Sequence, residues 1–210
     1  MLKRILIADD HSAVRGGIKH ILSGEFSKVE FGEAVNAPDV FKLLKQTVWD
    51  ALILDVDLPG RGGLEILKQI RAEGMKIPVL MFSFHREEQL AVRALKAGAS
   101  GYLSKDAADT ELLLAINQIL NGKKYVSSFV AQQLASQFNA EPAEESHSTL
   151  SDREYQIMLL IARGKTVSQI SDELSLSAST VSTYRSRVLE KMNMKNNAEL
   201  MNYAIRQNMV

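Results

Sequence analysis

Short apolar runs, each closed by a polar side chain, punctuate the first half of the chain. Ile5–Ala8 runs into Asp9 and Asp10, Ala51–Leu54 into Asp55, Val79–Phe82 into Ser83, and Gly101–Leu103 into Ser104 and Lys105. A weaker run covers Lys28–Ala34. Unbroken apolar runs of this length are expected of parallel strands buried on both faces. Between them the apolar spacing turns helical. Val14, Ile18, Ile21 and Leu22 fall on one face, and further helices fit Asp39–Val48, Gly63–Glu73, Glu87–Ala97 and Asp109–Leu120. Strands alternating with helices predict a doubly wound α/β domain whose five-stranded parallel sheet is joined by right-handed crossovers. Pro59-Gly60 and Gly62-Gly63 punctuate the turn after Asp55, and Gly98 and Gly101 bracket the approach to the last strand. The pattern is complete at about Gly122, which assigns residues 1–122 to this domain.

Beyond Gly122 the periodicity weakens. Val130, Leu134 and Phe138 fit one face of a short helix, and the following AEPAEESHS combines Pro, Ser and acids with almost nothing to bury. Residues 123–148 therefore read as a linker, a short helix followed by a flexible tether. From 149 to 210 strand signals vanish and helix starts recur. Ser151 and Glu154 form a capping box with Leu150 placed to staple Tyr155, Thr166 with Gln169 repeats the box, and Asn196 with Glu199 is a looser version. Val167, Ile170 and Leu174 make one apolar stripe, and Val181, Val188, Leu189 and Met192 another. Four short helices are predicted, with Leu174-Ser175-Leu176-Ser177 as the tight connection of a helix-turn-helix.

Candidate chemistry collects at the polar residues that close the apolar runs. Ligands of open α/β sheets bind beyond the carboxyl ends of the strands, where Asp9, Asp10, Asp55, Ser83 and Lys105 would converge. Carboxylates brought that close repel one another unless a cation neutralises them, and hard oxygen ligands of this kind suit Mg²⁺. An ammonium and a hydroxyl beside them suit a phosphoryl group.

Composition narrows the class. A chain of 210 residues fits one domain of ordinary size plus a smaller one. No apolar run approaches the roughly 20 residues of a membrane span, so no membrane association is expected. The apolar stretch in MLKRILIADD is too short for the core of a signal peptide before it meets two aspartates. The chain has no cysteine, which removes disulfides and thiolate metal sites and agrees with a reducing cytoplasm. A formal net charge of zero hides an asymmetry: from Thr149 onward eight Lys and Arg stand against six Asp and Glu, whereas Glu141–Glu145 holds three acids and no base. Whole-chain charge thus says little about nucleic-acid binding.

These residues carry a specific resemblance. The pair Asp9-Asp10, the segment DVDLPGRGG around Asp55, Ser83, and Y-L-S-K ending at Lys105 resemble a response-regulator receiver. The segment LSDREYQIMLLIARGKTVSQISDELSLSASTVSTYRSRVLEKMNMKNNAEL resembles the LuxR-type helix-turn-helix. In this order the two halves are similar to the NarL/FixJ family of two-component transcriptional regulators, over nearly all of the chain apart from the tether. The resemblance implies a flavodoxin-like receiver followed by an all-α DNA-binding domain at 149–210. It also implies a sensor histidine kinase as phosphodonor, double-stranded promoter DNA as target, a homodimer formed on phosphorylation or DNA binding, and a cytoplasmic location.

Site roles follow from the same resemblance. Asp55 would be the phosphoacceptor nucleophile, with chemistry confined to its own phosphorylation and dephosphorylation rather than turnover of other substrates. Mg²⁺ would be held by Asp10 and Asp55, with Asp9 acting mainly through water and Asp57 adding its backbone carbonyl. Lys105 would neutralise a phosphoryl oxygen as a point charge, and Ser83 would donate its hydroxyl to another. Movement of Ser83 would vacate space into which Tyr102 turns, which is the expected switch. Asp106 follows Lys105 where many receivers place proline, a departure that also occurs within the NarL/FixJ branch.

In the second domain the helix Ala178–Met192 is the one expected in the major groove. Its apolar stripe leaves Ser182, Thr183, Ser186 and Arg187 for base edges, while Arg185, Lys191 and Lys195 are placed for phosphates. Related proteins commonly carry lysine at the Ser182 position and histidine at the Tyr184 position, so their operator sequence does not transfer. Leu200, Met201, Ala204 and Ile205 supply both core contacts and a dimer face. Two other readings remain open from sequence: a phosphatase or phosphotransferase that turns over at Asp55, and a phosphorylation-independent DNA binder with a relic receiver.

Overall fold

The computed structural model describes residues 2–84, 88–127, 130–131, 146–207 and 209–210. The chain divides into two compact units, Met1–Asn139 and Ala140–Val210. In the first, strands β1 (Lys3–Ala8), β2 (Val29–Ala34), β3 (Ala51–Asp55), β4 (Val79–Ser83) and β5 (Gly101–Ser104) alternate with helices. These are α1 (Ser12–Glu25), α2 (Ala37–Gln46), α3 (Gly63–Ala72), α4 (Glu88–Lys96) and α5 (Asp109–Leu120). All strand pairs are parallel, and the spatial order is β2-β1-β3-β4-β5. The parallel sheet is the one expected from the alternation of runs, and its order is the flavodoxin-like one that the resemblance implies.

Burial explains why those runs are continuous. β3 and β4 are buried at every position, and Ile5, Leu6, Ile7 and Ala8 of β1 likewise lie inside, so no polar residue is tolerated before the strand ends. β2 lies at the sheet edge and alternates exposed with buried positions toward its end, which is why its run is the weakest in the sequence. Ile18 and Leu22 of α1 and Leu112, Ala115, Ile116 and Ile119 of α5 cover one sheet face above Ile5, Ile7, Ile53, Leu80 and Phe82.

Strand register sets up the site. Ala8 pairs with Leu54, so Asp9 and Asp55 leave adjacent strands side by side. Ser83 pairs with Ser104, which brings Lys105 out next to Ser83. The order reverses between β1 and β3, and such a switch point is where open α/β sheets form their ligand crevice. Gly63, the first residue of α3, passes so close to Asp55 that an added Cβ would stand 2.0 Å from the Asp55 carbonyl oxygen. Its N–H donates to the Val56 carbonyl at 2.8 Å, closing the loop that starts at Asp55.

Several boundaries differ from the sequence reading. Helix α2 begins at Ala37 because the Asn36 side chain accepts the Asp39 N–H and a proline occupies the first turn. It stops at Gln46, before Val48, where the β-branched Thr47 takes an extended conformation (φ −142°, ψ 146°). Past Gly122, the Tyr125 N–H donates to the Ser100 carbonyl at 2.9 Å and its ring is buried against α1, α5 and the sheet, so the first unit extends into the stretch read as linker. Leu134, Phe138 and the acidic tether 141–145 lie outside the described residues.

The second unit opens with a 3₁₀ turn, Ser146–Thr149, whose His147 is buried between Tyr155 and Tyr203. Four helices follow: α6 (Asp152–Ala162), α7 (Val167–Glu173), α8 (Ala178–Lys191) and α9 (Asn197–Arg206). Both capping boxes form, Ser151 with Glu154 and Thr166 with Gln169, and the Asn196 side chain accepts the Glu199 N–H. Ser177 adds a cap not read from sequence, accepting from the Thr180 N–H to start α8. The helix-turn-helix connection is tight enough to place Ser175 at φ 50°. Its carbonyls are held by side chains: Arg153 donates to the Leu174 carbonyl at 3.3 Å and Ser171 to the Leu176 carbonyl at 2.9 Å. Among the described residues no helix is long and apolar enough to cross a membrane.

The close approach at Gly63 makes a testable contrast. Gly63→Ala is expected to destabilise the protein by about 2 kcal/mol or more because a backbone carbonyl must move. Gly16→Ala, in mid-helix with nothing within 4 Å of an added Cβ, is expected to stabilise it by about 0.5–1 kcal/mol. Urea unfolding of the full chain measures both.

Candidate functional site

Asp9 and Asp55 emerge from neighbouring strands and are almost fully enclosed, at 2% and 1% exposure. Asp10 is half-buried at the rim. Lys105 enters from the end of β5, where its N–H donates to the Ser83 carbonyl at 2.7 Å. Its ammonium lies 2.6 Å from Asp9 Oδ2 and 2.8 Å from Asp55 Oδ2, and 5.0 Å from the centre of the Phe84 ring. The other Asp55 oxygen, Oδ1, accepts the backbone N–H of Asp57 at 3.0 Å. Arg15 fixes Asp9 from behind, donating to its carbonyl at 2.8 Å while pairing with Glu33 of β2 at 2.7 Å. Ser83 is fully buried beside this group, and Tyr102 lies buried in β5 opposite Met81.

Electrostatics at this edge are unbalanced. Three carboxylates face one ammonium, so the cluster carries excess negative charge with Lys105 protonated. Burial is the main cause that pushes the Asp55 carboxyl up to about 6; Asp57 and Asp9 push the same way, and the Lys105 charge opposes them. Burial alone would lower the Lys105 pKa, but Asp55 and Asp9 outweigh it and hold the ammonium above its ordinary value. Asp9 Oδ2, Asp10 Oδ1 and Asp55 Oδ2 are buried without a well-directed hydrogen bond; Asp9 and Asp55 meet the Lys105 charge there, and Asp10 Oδ1 lies 2.8 Å from His11 Nδ1. An enclosed set of carboxylate oxygens in that condition fits a divalent cation. Ligand atoms of Asp9, Asp10, His11 and Asp55 all lie within 4.8 Å of one another.

The structure thus brings together Asp9, Asp10, Asp55, Ser83 and Lys105 from four strand ends. Arg15 and His11 are absent from the sequence reading, and Gly63 enters it only as a turn residue, without its close approach to the Asp55 carbonyl. Arg15 and Gly63 act through backbone carbonyls, which leave no pattern in the side chains. His11 stands directly after two acids, but a pattern of oxygen ligands alone passes over it.

In the second unit α8 presents Ser182, Thr183, Ser186 and Arg187 to solvent while Val181 and Val188 are buried. Thr183 donates to the Ser179 carbonyl at 2.9 Å and Ser186 to the Ser182 carbonyl at 3.1 Å, so both hydroxyls turn lone pairs outward. Arg187 stands 6.0 Å from the centre of the Tyr184 ring, and a shallow pocket there adds Ser179, Thr180 and Tyr184 to the face read from sequence. The cations differ in setting. Arg185 donates to Asn197 Oδ1 at 2.6 Å, and Lys191 pairs with Glu154 at 2.6 Å, so both brace the domain. Burial would raise the Glu154 pKa, but Lys191 and the Ser151 donors outweigh it and hold the carboxyl below its ordinary value. Lys195 is exposed beyond the end of α8.

Comparison with known proteins follows the same division. Residues 5–117 match the response regulator receiver domain, and residues 148–204 match the luxR family of bacterial regulatory proteins. The chain is 39% identical over 203 residues to the response regulator UvrY of Escherichia coli strain K12, covering 96% of this chain and 93% of that protein. It is 37% identical over 208 residues to the response regulator GacA of Pseudomonas aeruginosa, covering 99% and 97%. RcsB of Salmonella enterica serovar Typhimurium, solved on promoter P1flhDC with the phosphomimetic BeF₃⁻, is similar at 25% identity and TM-score 0.60 over 97% of this chain and 98% of that one.

The buried carboxylates predict how stability depends on pH. Asp55 has an ordinary value of 3.8 and rises to about 6, so the folded state binds its proton more tightly than the unfolded state does. The associated stability is fully present below about pH 4 and lost as pH rises through about 6. Asp55→Asn removes the repelled charge and is expected to raise stability by about 1–3 kcal/mol at pH 7. The gain should vanish near pH 4, as thermal unfolding of metal-free protein at both pH values would read.

Proposed function

Because the chain belongs to the response regulators that join a receiver to a LuxR-family output domain, we propose that it is a DNA-binding transcription regulator switched by phosphorylation of Asp55. The observation that carries this reading is the contact of Lys105 with both Asp9 and Asp55 at the carboxyl edge of the sheet. A carboxylate with an ammonium beside it can accept a phosphoryl group and keep it: Asp55 Oδ2 attacks phosphorus, the phosphorus–nitrogen bond of a phosphohistidine breaks, and the imidazole leaves with the electron pair. The donor is a sensor histidine kinase. Lys105 shifts from pairing two carboxylates to pairing a phosphoryl oxygen, and Ser83 donates its hydroxyl to another. Tyr102 then turns toward the space Ser83 vacates.

Asp10 and Asp55 would hold Mg²⁺ directly, Asp9 through water, and Asp57 through its backbone carbonyl. Bound there, the ion supplies neutralisation of the carboxylates and of the incoming phosphoryl oxygens. Catalysis is limited to phosphorylation and dephosphorylation at Asp55, with no turnover of a separate substrate.

The division of labour is a receiver at 1–122 whose core also enlists Tyr125, a linker over the rest of 123–148 and a DNA-binding domain at 149–210, acting in the cytoplasm where the DNA is. Helix α8 enters the major groove of promoter DNA, with Ser182, Thr183, Ser186 and Arg187 at base edges. Arg185, Lys191 and Lys195 meet phosphates; Arg185 and Lys191 do so by exchanging or sharing Asn197 and Glu154. A module this small reads a short half-site, so the working form on DNA is a homodimer, favoured by phosphorylation. The RcsB structure on promoter DNA supports the reading by analogy.

Treatment with a small-molecule phosphoramidate and Mg²⁺ is expected to add one phosphoryl group to the wild type, seen by intact mass, and to tighten promoter binding. Asp55→Ala should abolish both effects; phosphorylation-independent regulation by that variant, or steady turnover of phosphomonoesters by the wild type, would overturn the proposal. On DNA, Arg187→Ala should cost about 1–3 kcal/mol and relax specificity at one base pair. Lys195→Ala should weaken all duplexes alike and reduce the salt slope by about one. Fluorescence anisotropy across a salt series separates the two.

A further inference from the structure

His11 is the residue at the acidic edge to which the phosphorylation chemistry assigns no task. It stands between the last acid and the first turn of α1, where its own N–H donates to Asp9 Oδ1 at 2.8 Å. That bond folds the turn back on itself and delivers the imidazole to the carboxylates. Nδ1 lies 2.8 Å from Asp10 Oδ1 and 3.3 Å from Asp9 Oδ1. Two ligands at right angles on a cation with bonds of about 2.1 Å stand about 3 Å apart, so these atoms are already spaced to share one ion without rearrangement of the turn.

Three further observations point to an ion there. The Asp9 and Asp55 side chains are more than nine-tenths buried, and an oxygen of each lacks a directed hydrogen bond. A single ammonium faces three carboxylates. The imidazole is largely exposed, at 61%, so it forms the open rim through which an ion enters and can present either ring nitrogen.

Donor chemistry then sets which ion. Mg²⁺ prefers oxygen and gains little from an imidazole, whereas Zn²⁺ and Ni²⁺ take nitrogen and oxygen together. Resting on the reading of this cluster as a cation site, we infer that His11 is a nitrogen ligand that makes it a mixed-donor site for a borderline divalent cation, Zn²⁺ or Ni²⁺, in competition with Mg²⁺. Binding would place the cation between His11 Nδ1 and the carboxylate oxygens it faces. The receiver therefore has two classes of divalent ligand at one place, and His11 discriminates between them.

Calorimetric titration of the full chain with MgCl₂, NiCl₂ and ZnCl₂, each alone, tests this. Wild type should bind one Ni²⁺ or Zn²⁺ at the cluster, and His11→Ala should weaken those two by about tenfold or more while changing Mg²⁺ affinity by less than about twofold. In proton NMR, the His11 ring signals should shift with Zn²⁺ and not with Mg²⁺. Unchanged Ni²⁺ and Zn²⁺ affinity in His11→Ala overturns the inference, as does an equal loss for all three ions. Ni²⁺ binding that survives Asp10→Asn combined with Asp55→Asn also overturns it, since the ion then sits elsewhere. Failure of the cation site itself reads differently: Mg²⁺ binding would then be indifferent to Asp55→Asn.

Discussion

Repulsion among buried carboxylates governs the first unit. Asp9 and Asp55 are delivered side by side by the register of β1 on β3, and the sheet encloses them before anything neutralises their charge. Lys105 answers only part of it, and the Asp55 carboxyl stands pushed up to about 6, mainly by its burial, with Asp57 and Asp9 pushing the same way against Lys105. A chain selected only for stability would place apolar or amide groups here. Retaining the charge makes this edge fit a divalent cation, which would relieve an unfavourable arrangement already built in.

What surrounds the carboxylates keeps them in that arrangement. Arg15 ties the Asp9 carbonyl to Glu33 on the neighbouring strand, Gly63 lets α3 start against the Asp55 carbonyl, and the Asp57 N–H holds one Asp55 oxygen. These contacts leave the Oδ2 atoms turned toward Lys105. The second unit is braced by the same kind of side-chain to backbone contact, with Arg153 and Ser171 holding carbonyls around the turn that sets α7 against α8.

Much of this was legible in the sequence, for identifiable reasons. Strands β1, β3 and β4 announce themselves because burial on both faces forbids polar residues through Ile5–Ala8, Ala51–Leu54 and Val79–Phe82, so the first polar residue after each run is where the site forms. Capping boxes at Ser151 and Thr166 were visible because the partners lie three residues apart. Less legible were the extension to Tyr125, the α2 boundaries and the loads on Arg185 and Lys191. Each is decided by a partner distant in the chain, such as Ser100 for Tyr125 or Glu154 for Lys191, or by competition between a cap and a propensity, as at Asn36. Periodicity carries no record of such choices.

The order of the strands has a temporal consequence. Asp9 and Asp55 belong to strands one and three, but the ammonium that balances them arrives with β5, the last strand to leave a ribosome. A nascent or truncated chain lacking β5 carries the acids without their counter-charge and without the hydrophobic edge that Leu103 contributes. Assembly of the acidic edge with its counter-charge thereby waits on completion of the whole sheet.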